Sequence, residues 1–389
     1  MQLSAKITSR PAGQSFVGRI TLNKELPEPL RGNEILLIDG AGCEDLTGFR
    51  AVFSADGGLE ANGVIPLPPA LAYLKEGDIL RVNYASGDLR VLYRRDSRHN
   101  VLFFTERCNS RCLMCSQPPR DIEDDWLIDE ILESLPLMSL DTPVLCITGG
   151  EPTLSGARFV EVIKAVKVLL PNTALHVLSN GKSFAHLKTA QAIADTAHPD
   201  LMIGIPLYSD VASIHDFVVQ SKGSFSLTVM GMMNLARCGV PVECRFVIHR
   251  QTVSRMPETA LFIARNLPFV QHVALMGLEM TGYTRSNLEA LWIDPYDYRD
   301  LLVEAVDALR VAGIRVLIYN LPLCVVPREL WPFAVQSISD WKNIFPPECD
   351  GCTVRHLCGG FFASSDLRRT AHIQPIFELV QGEVTTAAI

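Results

Sequence analysis

From Val101 onward, strand-like apolar runs alternate with helical stretches, and no other feature narrows the fold of this chain so far. The runs are VLFFT (101–105), VLCIT (144–148), ALHVLS (174–179), LMIGIPL (201–207), VECRFVI (242–248), HVALMG (272–277) and IRVLIY (314–319). Their unbroken apolar character suits strands covered on both faces of a parallel sheet. The segments between them predict helices over 124–140, 156–170, 184–197, 224–238, 254–266 and 295–311. Such repetition builds α/β folds. About 220 residues of it approach the size of a barrel. Six or so units predict a partial, open (β/α)6 barrel rather than a closed eight.

Two flanking regions lack this rhythm. Residues 1–98 hold short alternating runs (FVGRITL, EILLI, GVIPL, DILRVNY, DLRVLYR) broken by Gly, Pro, Asn and Asp. They predict a small β-rich domain, a barrel or sandwich. The basic stretch 94–99 reads as a linker or a solvated turn. Residues 321–389 are proline-rich and carry a group of cysteines, and their last residues, VTTAAI, are expected to fray. The expected division is therefore 1–98, 99–320 and 321–389.

Composition excludes several classes. The chain is 48% hydrophobic and 20% charged, the balance of a globular protein with a sizeable core. Its net charge is −8 and no long basic run occurs, which argues against nucleic acid and anionic membranes as partners. No apolar stretch reaches membrane-spanning length, and the start has no signal-peptide core. The expected compartment is the cytoplasm. Eleven cysteines there are a poor disulfide framework. Cys43, Cys146, Cys238 and Cys244 are scattered, and read as small buried apolar residues.

The other seven form two groups. Cys108, Cys112 and Cys115 stand in a C-x3-C-x2-C spacing directly after the first strand. Three thiolates on one loop suffice for three irons of a cubane and leave the fourth iron open. Structural zinc with one further ligand is the competing reading. The second strand ends in Thr148-Gly149-Gly150-Glu151-Pro152. Its glycines let a backbone approach a ligand closely, and its carboxylate suits a ligand ammonium; a plain strand-to-helix turn competes. The third strand ends in Leu178-Ser179-Asn180-Gly181, where Ser179 and Asn180 suit ribose hydroxyls, against the common Asn-Gly turn. Arg245 on the fifth strand offers a fork for a carboxylate, or is a structural arginine. Met276 and Gly277 end the sixth strand, where they border a ligand or simply fill core. The second cysteine group reads Cys324, then Cys349-x2-Cys352-x5-Cys358. Four cysteines close either a cluster or a tetrahedral zinc.

The cysteine loop, followed by GGEP and SNG at successive strand ends, resembles the radical S-adenosylmethionine (SAM) superfamily. The resemblance covers residues 100–360. It implies that Cys108, Cys112 and Cys115 hold a [4Fe–4S] cluster whose open iron binds SAM and cleaves it to a 5′-deoxyadenosyl radical. It places Gly149, Gly150 and Glu151 at the methionine amino group, Ser179 and Asn180 at the ribose, and Arg245 at the carboxylate. The position before the third cysteine is usually aromatic in the family and lies on the adenine; here it is Met114, whose thioether also packs on rings. The stretch His215-Asp216…Gly223-Ser224-Phe225 is similar to the HD…GSF region of peptide-modifying members, with Ser224 read as helix cap and Phe225 as core. The C-x2-C-x5-C run resembles their SPASM or twitch extension, which implies an auxiliary [4Fe–4S] cluster with Cys324 as fourth ligand and His356 as the competing one. Phe362 stands where the two-cluster pattern has a further cysteine. Trp331, Trp341, Phe345, Pro346 and Pro347 are expected around that cluster or along a peptide groove. The run ERCNSRCLMCSQPPR is most similar to the C-type radical maturases of the His-Xaa-Ser peptide system. That implies a precursor peptide as substrate, an electron donor such as flavodoxin or ferredoxin, and a second radical maturase as partner.

Overall fold

The computed structural model describes residues 2–7, 13–39, 45–55, 63–336 and 344–377. Cys43, Trp341 and the 384–389 run lie outside them. Two seven-stranded sheets organise the chain.

The first sheet has the order β1-β7-β6-β2-β3-β4-β5. Its strands are β1 (Ser4–Lys6), β2 (Phe16–Thr21), β3 (Glu34–Ile38), β4 (Ala51–Ser54), β5 (Val64–Pro66), β6 (Ile79–Asn83) and β7 (Asp88–Tyr93). One half is antiparallel and the other, from β2 to β5, is parallel. Ile20, Ile35, Phe53, Ile65 and Leu80 fill its own core.

The second sheet runs in chain order and is parallel throughout. It comprises β8 (His99–Phe103), β9 (Val144–Thr148), β10 (Ala174–Leu178), β11 (Leu201–Pro206), β12 (Val242–Ile248), β13 (His272–Gly277) and β14 (Arg315–Tyr319). The helices between are α1 (Trp126–Ser134), α2 (Ala157–Leu169), α3 (Leu187–Ala194), α4 (Ala212–Val219), α5 (Ser224–Arg237), α6 (Met256–Asn266), the short α7 (Tyr283–Ser286) and α8 (Leu288–Leu291), and α9 (Arg299–Val311). This is a partial α/β barrel: six strand–helix units and a seventh strand, with β8 and β14 at its two ends and an isolated bridge from Ala334 to Ile318 on β14. Helices α2, α6 and α9 lay apolar stripes on the sheet; that of α2 is Phe159, Val162, Ile163 and Val166.

One expectation needs correcting. The barrel strands are not covered equally on both faces. In β9 and β10 the burial alternates, with Leu145, Ile147, Leu175 and Val177 buried under helices and Cys146, His176 and Leu178 half-exposed on the other face. A partial barrel leaves this face uncapped, and polar side chains occupy it. Cys146 therefore lies beside polar groups rather than in apolar core. Cys238 is also half-exposed, while Cys244 is fully buried.

The first sheet rests on α1. Glu130 of α1 receives Arg81 of β6 at 3.2 Å and pairs with Arg90 of β7. Tyr93 shares a hydrogen bond with Thr142 at 2.8 Å. In the basic stretch, the Asn100 carboxamide bonds the backbone of Arg94 and Ser97, which closes a tight turn into β8.

Candidate active site

The loop after β8 is anchored before its first cysteine. Asp124 is buried and accepts the Thr105 hydroxyl at 3.0 Å, the Glu106 amide at 2.5 Å and Arg107 Nε at 3.0 Å. The Gly150 amide donates to Thr105 O at 2.6 Å, and the Glu151 amide to Arg107 O at 2.8 Å. The GGEP glycines are explained by this contact. A Cβ on Gly149 would lie 2.4 Å from Thr105 O, and one on Gly150 2.0 Å from Arg107 O. They admit the cysteine loop's own backbone.

Beyond Cys108 the loop is seated on α4. The amides of Arg111 and Leu113 donate to Val219 O and Val218 O at 3.1 and 2.9 Å, using carbonyls that the helix end leaves free. The segment after β13 closes the other side. Tyr283 N donates to Cys115 O at 2.9 Å, Thr284 Oγ1 to Met114 O at 3.2 Å and Asn287 Nδ2 to Leu113 O at 2.8 Å. Gly282 has φ +53°, and a Cβ there would meet Cys115 O at 2.3 Å. Met114 packs into an apolar cluster with Tyr208, Val218, Val219 and Leu291.

Two strand ends, those of β9 and β10, are locked together by Glu151, which is 0% exposed. Its carboxylate accepts Thr153 Oγ1 at 2.6 Å, Thr153 N at 3.2 Å, Ser179 Oγ at 2.8 Å and Asn180 N at 2.7 Å. The Ser179 hydroxyl also accepts the Gly181 amide at 3.1 Å. Asn180 donates to the Asn109 side chain at 2.7 Å, across to the cysteine loop. Glu151 and Ser179 thus hydrogen-bond each other and the segments around them. Pro152 opens a 3-10 turn rather than α2 itself, with Glu151 as its cap.

The HD…GSF stretch also acts through structure. Asp216 accepts the amides of Gly223 at 2.5 Å and Phe225 at 2.8 Å, and so caps α5 in place of Ser224. His215 stacks on Tyr208, and burial pulls its pKa down to about 4. The turn so fixed presents Ser221 to Lys182. Lys182 was missed from sequence, and it bonds the cysteine loop itself.

Arg245 joins none of these groups. Its Nη1 donates to Glu243 at 2.9 Å and its Nη2 lies 3.2 Å from Met276 Sδ. Glu243 also pairs with His176 at 2.6 Å. Two of its guanidinium nitrogens thus face Glu243 and Met276. Gly277 is there to let Asn320 O approach, 2.5 Å from where its Cβ would be.

The three loop thiols are half-exposed and lie within range of one another's charge. Burial, then Cys115 and Cys108, push the Cys112 thiol up to about 12; burial also raises Cys108 and Cys115. Three neighbouring thiols on one loop are a donor set suited to a bound cation, which displaces their protons. Among the described residues no three His, Cys, Asp or Glu side chains converge on a single-ion position. A cubane takes its ligands on separate irons, and three thiols on one short loop are a suitable donor set for it.

The second group assembles in the same way. Cys324, Cys349, Cys352 and Cys358 line one pocket with about 290 Å³ of empty volume. Cys358 Sγ accepts the amides of Leu323 at 3.3 Å and Gly360 at 3.4 Å, and Cys352 Sγ that of Ile376 at 3.5 Å. Burial and then the other three cysteines push the Cys349 thiol up to about 11. His356 is exposed and does not line the pocket. Phe345 does, whereas Trp331 is buried in the barrel core. A neighbouring cavity with about 500 Å³ of empty volume shares Pro322 with this pocket. It opens at the ends of β12–β14 (Ile248, Gly277, Asn320) and is walled by Trp292, Phe361 and Phe362.

Residues 102–263 match the family described as the radical SAM superfamily. They form a radical SAM domain. The cofactors of this superfamily are a [4Fe–4S] cluster and SAM. A curated relative, Fe-coproporphyrin III synthase of Methanosarcina barkeri, is 26% identical over 176 residues, 42% of this chain and 41% of that protein. SuiB of Streptococcus suis bound to SAM is similar in structure, with TM-score 0.44 and 16% identity over 59% of this chain and 50% of that one. Native anSMEcpe with bound AdoMet gives 0.44 and 17%, over 56% and 62%. The chain thus spans less than half of the curated relative and half of SuiB.

Proposed function

We propose that this chain is a radical SAM enzyme that modifies a ribosomally made precursor peptide. When bound, the cluster and SAM supply a deoxyadenosyl radical able to take hydrogen from an unactivated carbon. Cys108, Cys112 and Cys115 would hold that cluster. Glu151 orders the two strand ends beside it, and Met114 anchors the loop from below. Cys324, Cys349, Cys352 and Cys358 would hold an auxiliary cluster.

The observation that carries the peptide reading is the cavity at the ends of β12–β14. It adjoins the four-cysteine pocket, and its far wall is the chain that follows Cys358. Aromatic walls with Asn320, Arg368 and Arg369 among them suit a peptide segment, its side chain against the rings and its backbone carbonyls toward the arginines. Excluding water there would protect a radical intermediate. The division into 1–98, 99–320 and 321–389 belongs to the same proposal, with the first unit as a recognition or docking module.

The test is anaerobic incubation of the reconstituted chain with SAM, a reductant and the peptide encoded by the neighbouring gene. A changed peptide mass alongside 5′-deoxyadenosine supports the proposal. Deoxyadenosine with unchanged peptide favours a small-molecule substrate, the reading that the name of the curated relative suggests.

A further inference from the structure

The Lys182 ammonium sits where the cysteine loop meets the segment after β10 and the turn between α4 and α5. Lys182 is 8% exposed. Its Nζ donates to Asn109 O at 2.8 Å, Ser110 Oγ at 2.8 Å and Ser221 Oγ at 3.1 Å. All three acceptors are uncharged. The carboxylates whose charge reaches it, Glu151 and Asp216, make their hydrogen bonds elsewhere. A buried ammonium held by neutral groups keeps much of its desolvation penalty unless an anion lies near.

The two loop acceptors, Asn109 and Ser110, stand between Cys108 and Cys112. On its other side the loop rests on the carboxyl end of α4. That end carries partial negative charge, which is a poor setting for three thiolates. Lys182 supplies the missing positive charge. Its hydrogen bonds also hold the turn between the first two cysteines.

We infer that Lys182 is a positioning residue for the cysteine loop, pinning Asn109 and Ser110 and setting a fixed positive charge against the thiolates of Cys108 and Cys112. The charge favours the reduced cluster and so raises its potential. The inference rests on the reading that Cys108, Cys112 and Cys115 hold the cluster.

The experiment compares the anaerobically reconstituted full chain with Lys182→Met and Lys182→Arg. The potential is read by electron paramagnetic resonance at set potentials, and the relevant cluster is the one whose signal SAM alters. Lys182→Met is expected to lower the reduction equilibrium constant at least tenfold, a negative shift of about 59 mV for one electron. Lys182→Arg is expected to stay close to the wild type. Without metal, the Met variant is expected to melt no lower than the wild type, and to gain less on reconstitution. An unshifted potential in the Met variant overturns the inference. So do Met and Arg variants that behave alike, including loss of iron from both. A wild-type chain whose iron signal ignores SAM would instead overturn the cysteine assignment, so the two failures are distinct.

Discussion

Ser179 donates its hydroxyl to Glu151 across 2.8 Å, and this bond ties the end of β10 to the end of β9 beneath the cysteine loop. Both groups are buried, so neither can exchange its partner for water. Ser179→Ala should cost about 2 kcal/mol, because the carboxylate loses a buried donor. Glu151→Gln should cost at least as much, since its amide would face donors with another donor. Urea denaturation of the metal-free chain measures both.

Close approach makes a sharper claim about Gly150. Its Cβ position lies 2.0 Å from Arg107 O. Gly150→Ala must therefore displace the chain just before Cys108. The expected result is a folded protein, by circular dichroism, that has lost iron from the first cysteine group. Gly282→Ala should do the same through Cys115 O. Folded variants with full iron content would show that the loop tolerates the shift.

Acid stability reads the polar face of the barrel. Burial opposes ionisation of Glu243, but Arg245 and His176 outweigh it and hold its pKa at about 2. A carboxylate lowered in the fold contributes stability above its unfolded value of 4.5, and loses it as pH falls towards 2. Burial holds His249 at about 3 and His215 at about 4, so both add to the loss below their ordinary 6.5. The chain should therefore weaken steadily as pH falls from 6.5. Glu243→Gln should remove the part below 4.5, at a cost of roughly 3 kcal/mol near neutrality. Denaturation midpoints across pH for both proteins check the sign.

The two candidates for the fourth auxiliary ligand separate cleanly. Cys324 lines the pocket and His356 does not. Cys324→Ser should lose iron from the second group while the signal altered by SAM persists. His356→Ala should keep both. The opposite result would exchange their roles.

Much of this was legible before any coordinates. The alternation after Val101 announces a parallel α/β sheet, because strand and helix periods differ and each run is long enough to read. The cysteine spacing marks its loop because all three donors are local in sequence. What stayed hidden depends on pairing between distant segments. Glycines at 149 and 150 look the same whether a ligand or Arg107 O approaches them. Arg245 looks free until Glu243 is seen two residues away on the same face. Lys182 has no motif of its own; its role exists only because α4 delivers Ser221 and the loop delivers Asn109.

The central claim is that the loop after β8 makes a radical from SAM. The most direct measurement is 5′-deoxyadenosine formed by the anaerobically reconstituted, reduced chain, beside a variant with Cys108, Cys112 and Cys115 all changed to Ala. The expected result is steady formation by the wild type and none above background by the variant. Equal formation by both, or none by an iron-loaded wild type, would contradict it.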